Sequence, residues 1–141
     1  MPEPLMNANE IGKFMREHFA RWDRMGVTIE DAAFRRVKLR MSIGERQLRA
    51  GGTVAGPAMF ALADTAMYIA VLASVGPKAQ AVTTNMSINF LKRPPMRDLI
   101  AECQLLKLGR RLAVGDVIIY SDDDEEPVAH ATGTYAIPVN G

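Results

Sequence analysis

Cysteine occurs once in this 141-residue chain, at Cys103, and histidine twice, at His18 and His130. A single cysteine excludes an internal disulfide and a cysteine-rich zinc cluster, suits a reducing compartment, and reads as a small buried hydrophobe. Two histidines give a histidine-based triad or metal site little to build on, and no metal is expected. His18 lies beside an apolar helical stripe and His130 in the last strand segment, where satisfied structural roles are expected of both. There is no G-x-S-x-G elbow, P-loop, G-x-G-x-x-G after a strand, or H-E-x-x-H. The formal net charge is only +1 and no long basic run occurs, so the electrostatic footprint of a nucleic-acid binder is missing. Internal repeats, flexible linkers and low-complexity tracts are missing too. The opening MPEPLMNANE has no basic region leading into an apolar stretch, which points to a cytoplasmic protein without a secretory signal.

What is present is an ordinary globular mixture, 48% hydrophobic and 23% charged, sized for one domain over residues 1–141. Ile11, Phe14, Met15, His18, Phe19 and Trp22 follow amphipathic helical spacing, predicting a helix over about 8–24. Asn7 with Glu10 resembles its capping box, and Gly26 marks its end. The core is expected over about 27–138. Val27 to Ile29 and Phe34 to Ile43 read as an early strand or two, and residues 44–56, GERQLRAGGTVAG, as a loop.

The second half reads as strands. In AVTTNMSINFL, Val82, Thr84, Met86, Ile88 and Phe90 alternate with Thr83, Asn85, Ser87 and Asn89. Leu99 to Leu108, Arg111 to Ser121 and Pro127 to Ile137 complete the series, and the connection lengths make these antiparallel neighbours. Gly109-Arg110 fits a tight hairpin with glycine at the first turn position, and DDDEEP, residues 122–127, a longer solvated turn. Helix, then a run of strands, gives an α+β class.

Between the halves, Ala58 to Val75 is apolar on nearly every side, with Asp64 its only charge. Its length raises the question of a membrane span, but a mid-helix aspartate and many alanines favour a helix buried in a core. Pro57 suits the first helical position, where its missing N–H has no intrahelical partner, and Gly76-Pro77 stops the helix. The preceding glycine-rich loop brings backbone N–H groups to a helix N-terminus, which favours an anion or developing oxyanion, and Gly56 is the best single donor. Asp64 needs a reason, because an ionised carboxylate among apolar residues must be paired, hydrogen-bonded or near water. Spacing leaves two readings level: a structural aspartate bonded to Thr65, Tyr68 or backbone, or a general base or nucleophile.

Gly52-Thr53-Val54-Ala55-Gly56-Pro57 followed by Asp64 resembles the hotdog-fold thioesterases of the phenylacetate-degradation (PaaI-like) type. There a G-T-x-H-G-G segment opens the central helix and the catalytic aspartate lies seven residues past the final glycine. The element order agrees over roughly residues 25–138. This resemblance implies a hotdog fold, a long central helix wrapped by a curved antiparallel sheet with the N-terminal helix added. Ala55 stands at the family's histidine, Pro57 at its second glycine, and Arg49 at an upstream asparagine. Thr83 matches a serine that helps place the attacking water; its other reading is a plain polar strand residue.

The resemblance thus implies an acyl-CoA thioesterase acting on small-to-medium or aryl acyl groups, without a cofactor beyond the CoA moiety of its substrate. Asp64 and Gly56 would be its acid and oxyanion donor, with Arg49 and Ala55 beside the substrate. Lys92-Arg93 and Arg110-Arg111 are candidates for the phosphates of CoA, each pair having a solvated turn as its other reading. Met59, Phe60, Met67 and Tyr68 would line an acyl pocket or simply belong to the core. Eight residues of helix separate Gly56 from Asp64 by about 12 Å, too far for one thioester carbonyl. Hotdog dimers resolve this by facing one subunit's glycine with the other's acid, so a homodimer or homotetramer with composite sites is expected. A non-catalytic acyl-CoA-binding module and a hotdog hydratase or dehydratase are the alternatives, since one scaffold hosts several chemistries.

Overall fold

The computed structural model describes residues 2–139. Its order is α1 (Ala8–His18), α2 (Trp22–Met25), β1 (Val27–Ala33), β2 (Arg36–Met41), a 3-10 turn (Glu45–Gln47), α3 (Gly56–Val75), β3 (Val82–Phe90), β4 (Leu99–Leu108), β5 (Leu112–Ser121) and β6 (Pro127–Ala136). The six strands form one antiparallel sheet in the order β1-β2-β4-β5-β6-β3. This is the hotdog arrangement, a sheet curved around a long helix.

That helix organises the core. Met59, Leu62, Ala63 and every residue from Ala66 to Ser74 are buried. A helix apolar all round must be covered, and the inner face of the sheet together with α1 covers most of it, while Pro57 and Phe60 near its start stay exposed. Leu39, Leu99, Ala101, Leu105, Val117, Ile119, Ala129 and Ala131 point into it along alternating strand positions. The one segment among the described residues that is long and apolar enough to cross a membrane is therefore the centre of the fold. Proline at its N-terminus and Gly76 beyond its C-terminus bound it as expected.

The N-terminal helix departs from the expected 8–24 span. The Asn7–Glu10 capping box forms, but α1 stops at His18: Phe19 is extended, and its N–H closes on the Met15 carbonyl. His18 Nδ1 lies 3.0 Å from the Phe14 carbonyl oxygen, and its ring stacks on Phe14. The break lets Trp22 enter the core from a separate short helix, 5% exposed, which Gly26 ends in the left-handed region. His18 itself is exposed.

Several strand expectations also need correction. Phe34 belongs to the β1–β2 turn, not a strand. At that turn Arg35, at φ 67°, donates its N–H to Ser74 Oγ on α3 and its guanidinium to the Leu105 and Leu106 carbonyls. β3 and β4, consecutive in sequence, are not neighbours: β4 pairs with β2 and β5, and β3 crosses to pair with β6. The eight-residue connection after Phe90, with Pro94-Pro95 inside it, carries the chain past the sheet instead of folding back as a hairpin. The β4–β5 turn has three residues, Gly109 to Arg111, and Gly109 lacks the positive φ that a two-residue turn opening on glycine needs. Its N–H bonds the Leu112 carbonyl.

The alternation in β3 is interrupted as well. Thr83 pairs with Tyr135 and Asn85 with Thr134, so Thr84 is an extra, bulged residue. Thr83 therefore shares the helix-facing side with Met86 and Ile88, while Val82 is 57% exposed.

Gly115 on β5 lets the sheet close tightly on α3. A Cβ there would stand 2.6 Å from the Gln104 carbonyl oxygen and 3.0 Å from Met67 Sδ, whereas at Gly133 the nearest atom is the mobile Met86 Cε at 2.9 Å. Gly115→Ala is expected to lose about 1–3 kcal/mol of stability in urea unfolding, clearly more than Gly133→Ala, because backbone cannot yield as a methionine tip can.

Candidate active site

Asp64 sits midway along α3, over the end of the sheet where β3 and β6 pair. Its Oδ1 accepts from Thr83 Oγ1 at 2.6 Å and lies 2.7 Å from the Tyr135 hydroxyl, which is also 3.0 Å from the Asp64 carbonyl oxygen. The single phenolic proton serves one of those acceptors at a time, and the charged, nearer Oδ1 is the stronger. Thr83 and Tyr135 are direct cross-strand partners, so one register position delivers both hydroxyls. It does so only because of the bulge, which turns Thr83 inward. Of the two readings left level by the sequence, the structural one named Thr65, Tyr68 or backbone as partners; the side-chain partners are Thr83 and Tyr135.

The other carboxylate oxygen, Oδ2, receives no hydrogen bond from the described residues. Asp64 is half-buried and lines a cleft of about 360 Å³. Phe19, Trp22, Met25 and Tyr68 form much of its wall, with Arg21 also lining it. Phe19 meets Tyr68 edge-on, and Tyr68 donates its hydroxyl to the Ala79 carbonyl. Burial pushes the Tyr68 phenol up to about 12 and raises Tyr135 further, with the Asp64 carboxylate beside Tyr135 adding to the effect. Both stay protonated donors across the physiological range.

Gly56 opens a different cleft, of about 380 Å³, at the N-terminus of the same helix. Its N–H is the first helical amide and donates to no acceptor among the described residues. Arg49, Lys92 and Arg93 line this cleft with Phe90, whose ring covers Gly56. Lys92 is held by Asp124 at 2.6 Å, which keeps the Asp124 carboxyl below its usual range, with the Glu126 N–H adding to this; Arg49 and Arg93 are exposed and make no ion pair among the described residues. The acidic turn is thus partly engaged rather than merely solvated. Ala55 is the N-cap of α3, and its methyl offers no side-chain cap where a polar residue would.

Arg110 and Arg111 join neither cleft. With Lys78 they line a third, at the opposite end of α3. Of the apolar candidates, Tyr68 lines the Asp64 cleft and Met59 the Gly56 cleft; Met67 is fully buried against Cys103 Sγ. Phe60 is 39% exposed. His130 pairs with Asp116 at 3.1 Å, and neither histidine lines the Asp64 cleft. The sequence reading missed Tyr135, Phe19 and Arg21 as site residues. Tyr135 looked like one more inward strand residue, and its only signal was a hydroxyl on an otherwise apolar strand face.

The thioesterase superfamily model matches residues 51–128, from the glycine-rich loop into β6, and so includes Gly56, Asp64 and Thr83. A crystal structure of a candidate thioesterase from Silicibacter sp. superposes with a TM-score of 0.88 at 44% identity, covering 96% of this chain and 94% of that one. The PaaI protein of the Escherichia coli phenylacetic acid degradation operon superposes at 0.80 with 24% identity, covering 93% of each chain, a likeness of fold. A candidate esterase from Halobacterium salinarum is 30% identical over 118 residues, 77% of each chain. The match to the family model, carried on a hotdog fold, makes this chain a member of the thioesterase superfamily, a hydrolase acting on thioesters.

Proposed function

We propose that this enzyme hydrolyses acyl-CoA thioesters of small-to-medium or aryl acyl groups to the free acid and CoA, at sites shared between two subunits. The observation that carries this reading is Asp64: the only charge on the core helix, held by two neutral hydroxyls, with one oxygen that no described residue bonds, at the wall of an aromatic-lined cleft. A thiolate leaves with an intrinsic pKa near about 8.5, so one carboxylate and one polarising N–H form a workable minimum. As general base, Asp64 takes a proton from water as the water oxygen adds to the thioester carbon. Collapse breaks the C–S bond and the proton goes to sulfur. As nucleophile, it forms an acyl anhydride while the thiolate departs, and water then restores the carboxylate.

Gly56 of the partner subunit is the oxyanion donor in this scheme, because about 12 Å of helix divides the two groups within one chain. Support comes from the free edge of β3, which meets no further strand among the described residues, and from exposed Val82 and Phe90 on that strand with Leu91 just beyond it. Such an edge is a template for pairing with a second copy. Arg49 and Arg93 offer positive charge to the CoA phosphates beside Gly56, and Arg110 and Arg111 with Lys78 form a second basic cleft. The aromatic walls around Asp64 suit the acyl group.

Free-thiol release from short, medium, long and aryl acyl-CoA esters should be seen with the native protein and fall by about 10²–10⁴-fold in Asp64→Asn. Ligand-dependent thermal stabilisation without release would instead indicate an acyl-CoA-binding module.

Shared sites have their own signature. Gly56→Pro deletes the amide, and Ala55 already has the φ −72°, ψ 145° that a residue before proline adopts, but a Cβ there stands 3.2 Å from Phe90 Cζ, so that ring has to shift slightly and the fold is checked by thermal melting. Gly56→Pro and Asp64→Ala should each be inactive alone. After subunit exchange, an equimolar mixture should recover about a quarter of native activity, because half the dimers are mixed and each carries one intact site. No recovery, with exchange verified by mass, would place the whole site in one chain.

A further inference from the structure

We propose that Tyr135 is a positioning residue for hydrolysis: together with Thr83 it holds Asp64 by Oδ1, leaving Oδ2 as the oxygen that works on the substrate. Tyr135 lies beyond the segment that matches the family model. The inference rests on the reading of Asp64 as base or nucleophile.

A carboxylate oxygen has two lone-pair sites in its plane. At Oδ1 both face hydroxyls, from Thr83 at 2.6 Å and Tyr135 at 2.7 Å, on adjacent strands. One donor alone would let the carboxylate pivot about its Cβ–Cγ bond. Two donors from opposed strands resist that rotation and fix where Oδ2 points. Because the lone pairs of Oδ1 are occupied, it is a poor acceptor for a further proton and a poor nucleophile, whereas Oδ2 has no protein donor among the described residues. In the base route the proton of the attacking water passes to Oδ2 and then to the departing sulfur. In the nucleophilic route the new C–O bond forms at Oδ2 as the C–S bond breaks, and water later restores the carboxylate.

The environment of Tyr135 suits this task. Its residue exposure is 3%, its ring packs near Tyr68, and the small, fully buried Ala113 lies opposite it on β5. The hydroxyl therefore has little freedom to turn elsewhere. The other ionisable groups lining the cleft are Tyr68 on α3 and Arg21 in the N-terminal segment, and neither bonds the carboxylate.

The test is steady-state kinetics of native protein, Tyr135→Phe, Thr83→Val and the double variant, with hexanoyl-CoA and benzoyl-CoA, alongside Asp64→Asn. Phenylalanine keeps the buried ring, and circular dichroism with thermal melting checks each fold. The expected result is a kcat loss of about tenfold or more in Tyr135→Phe with KM within about twofold, since the cleft keeps the aromatic ring and loses only one hydroxyl. In the Thr83→Val background the same change should cost a clearly different factor, because both hydroxyls hold one oxygen. A kcat within twofold of native, a loss carried by KM, or an equal loss in both backgrounds would overturn the role of Tyr135. If Asp64→Asn is inactive in that event, only this inference fails. Full activity in Asp64→Asn, or no release by the native protein, would remove the underlying reading as well.

Discussion

Much of this fold answers to one constraint: from Ala66 to Ser74, α3 has no face left in water. That buried stretch is unbroken, and all six strands pack against the helix. Small residues set how closely the layers meet. Ala63, Ala66, Ala70 and Ala73 on the helix are fully buried, and Gly115 on β5 opposes Met67. Apolar burial supplies the driving force, at roughly 25 cal/mol per Å², and close packing selects this one arrangement over looser ones.

A carboxylate on such a helix must be solvated by the protein, and the choice of partners decides what it can do. A buried lysine or arginine would bind the charge in an ion pair and occupy its oxygens. Hydroxyls stabilise the charge without cancelling it, and two of them can be concentrated on one oxygen. The remaining oxygen lines a cleft walled largely by aromatic and apolar side chains, where electrostatic effects are larger than in bulk water. Arg21 lines the same cleft without bonding the carboxylate, whereas Arg49, Lys92 and Arg93 gather at the helix start. The basic cluster and the carboxylate are separated along one helix.

Much of this was legible in the sequence. The unbroken apolar run, Pro57 and Gly76 fixed the central helix, and the register from Gly52 to Asp64 carried the family. The strands were visible because each alternates, but their order in the sheet was not, because pairing between β3 and β6 depends on a crossover that connection length does not encode. The helix break at Phe19 was hidden because Trp22 continues the apolar spacing on a different axis. Tyr135 was hidden because cross-strand partners are unreadable until the register is known, and Thr83 looked outward-facing because strict alternation assigns it that side.

The extra residue at Thr84 shows how lightly the site is tied to its strand. A bulge inverts parity: every side chain before it faces the side that an unbroken ladder would give to its neighbour. The hydroxyl on Asp64 is thus supplied by a backbone irregularity as much as by a threonine. In a relative whose ladder runs straight through this point, odd and even positions exchange places, and the equivalent donor has to be sought one residue further along. A residue-for-residue alignment would score such a pair as a loss of the site when only the phase of the strand had changed.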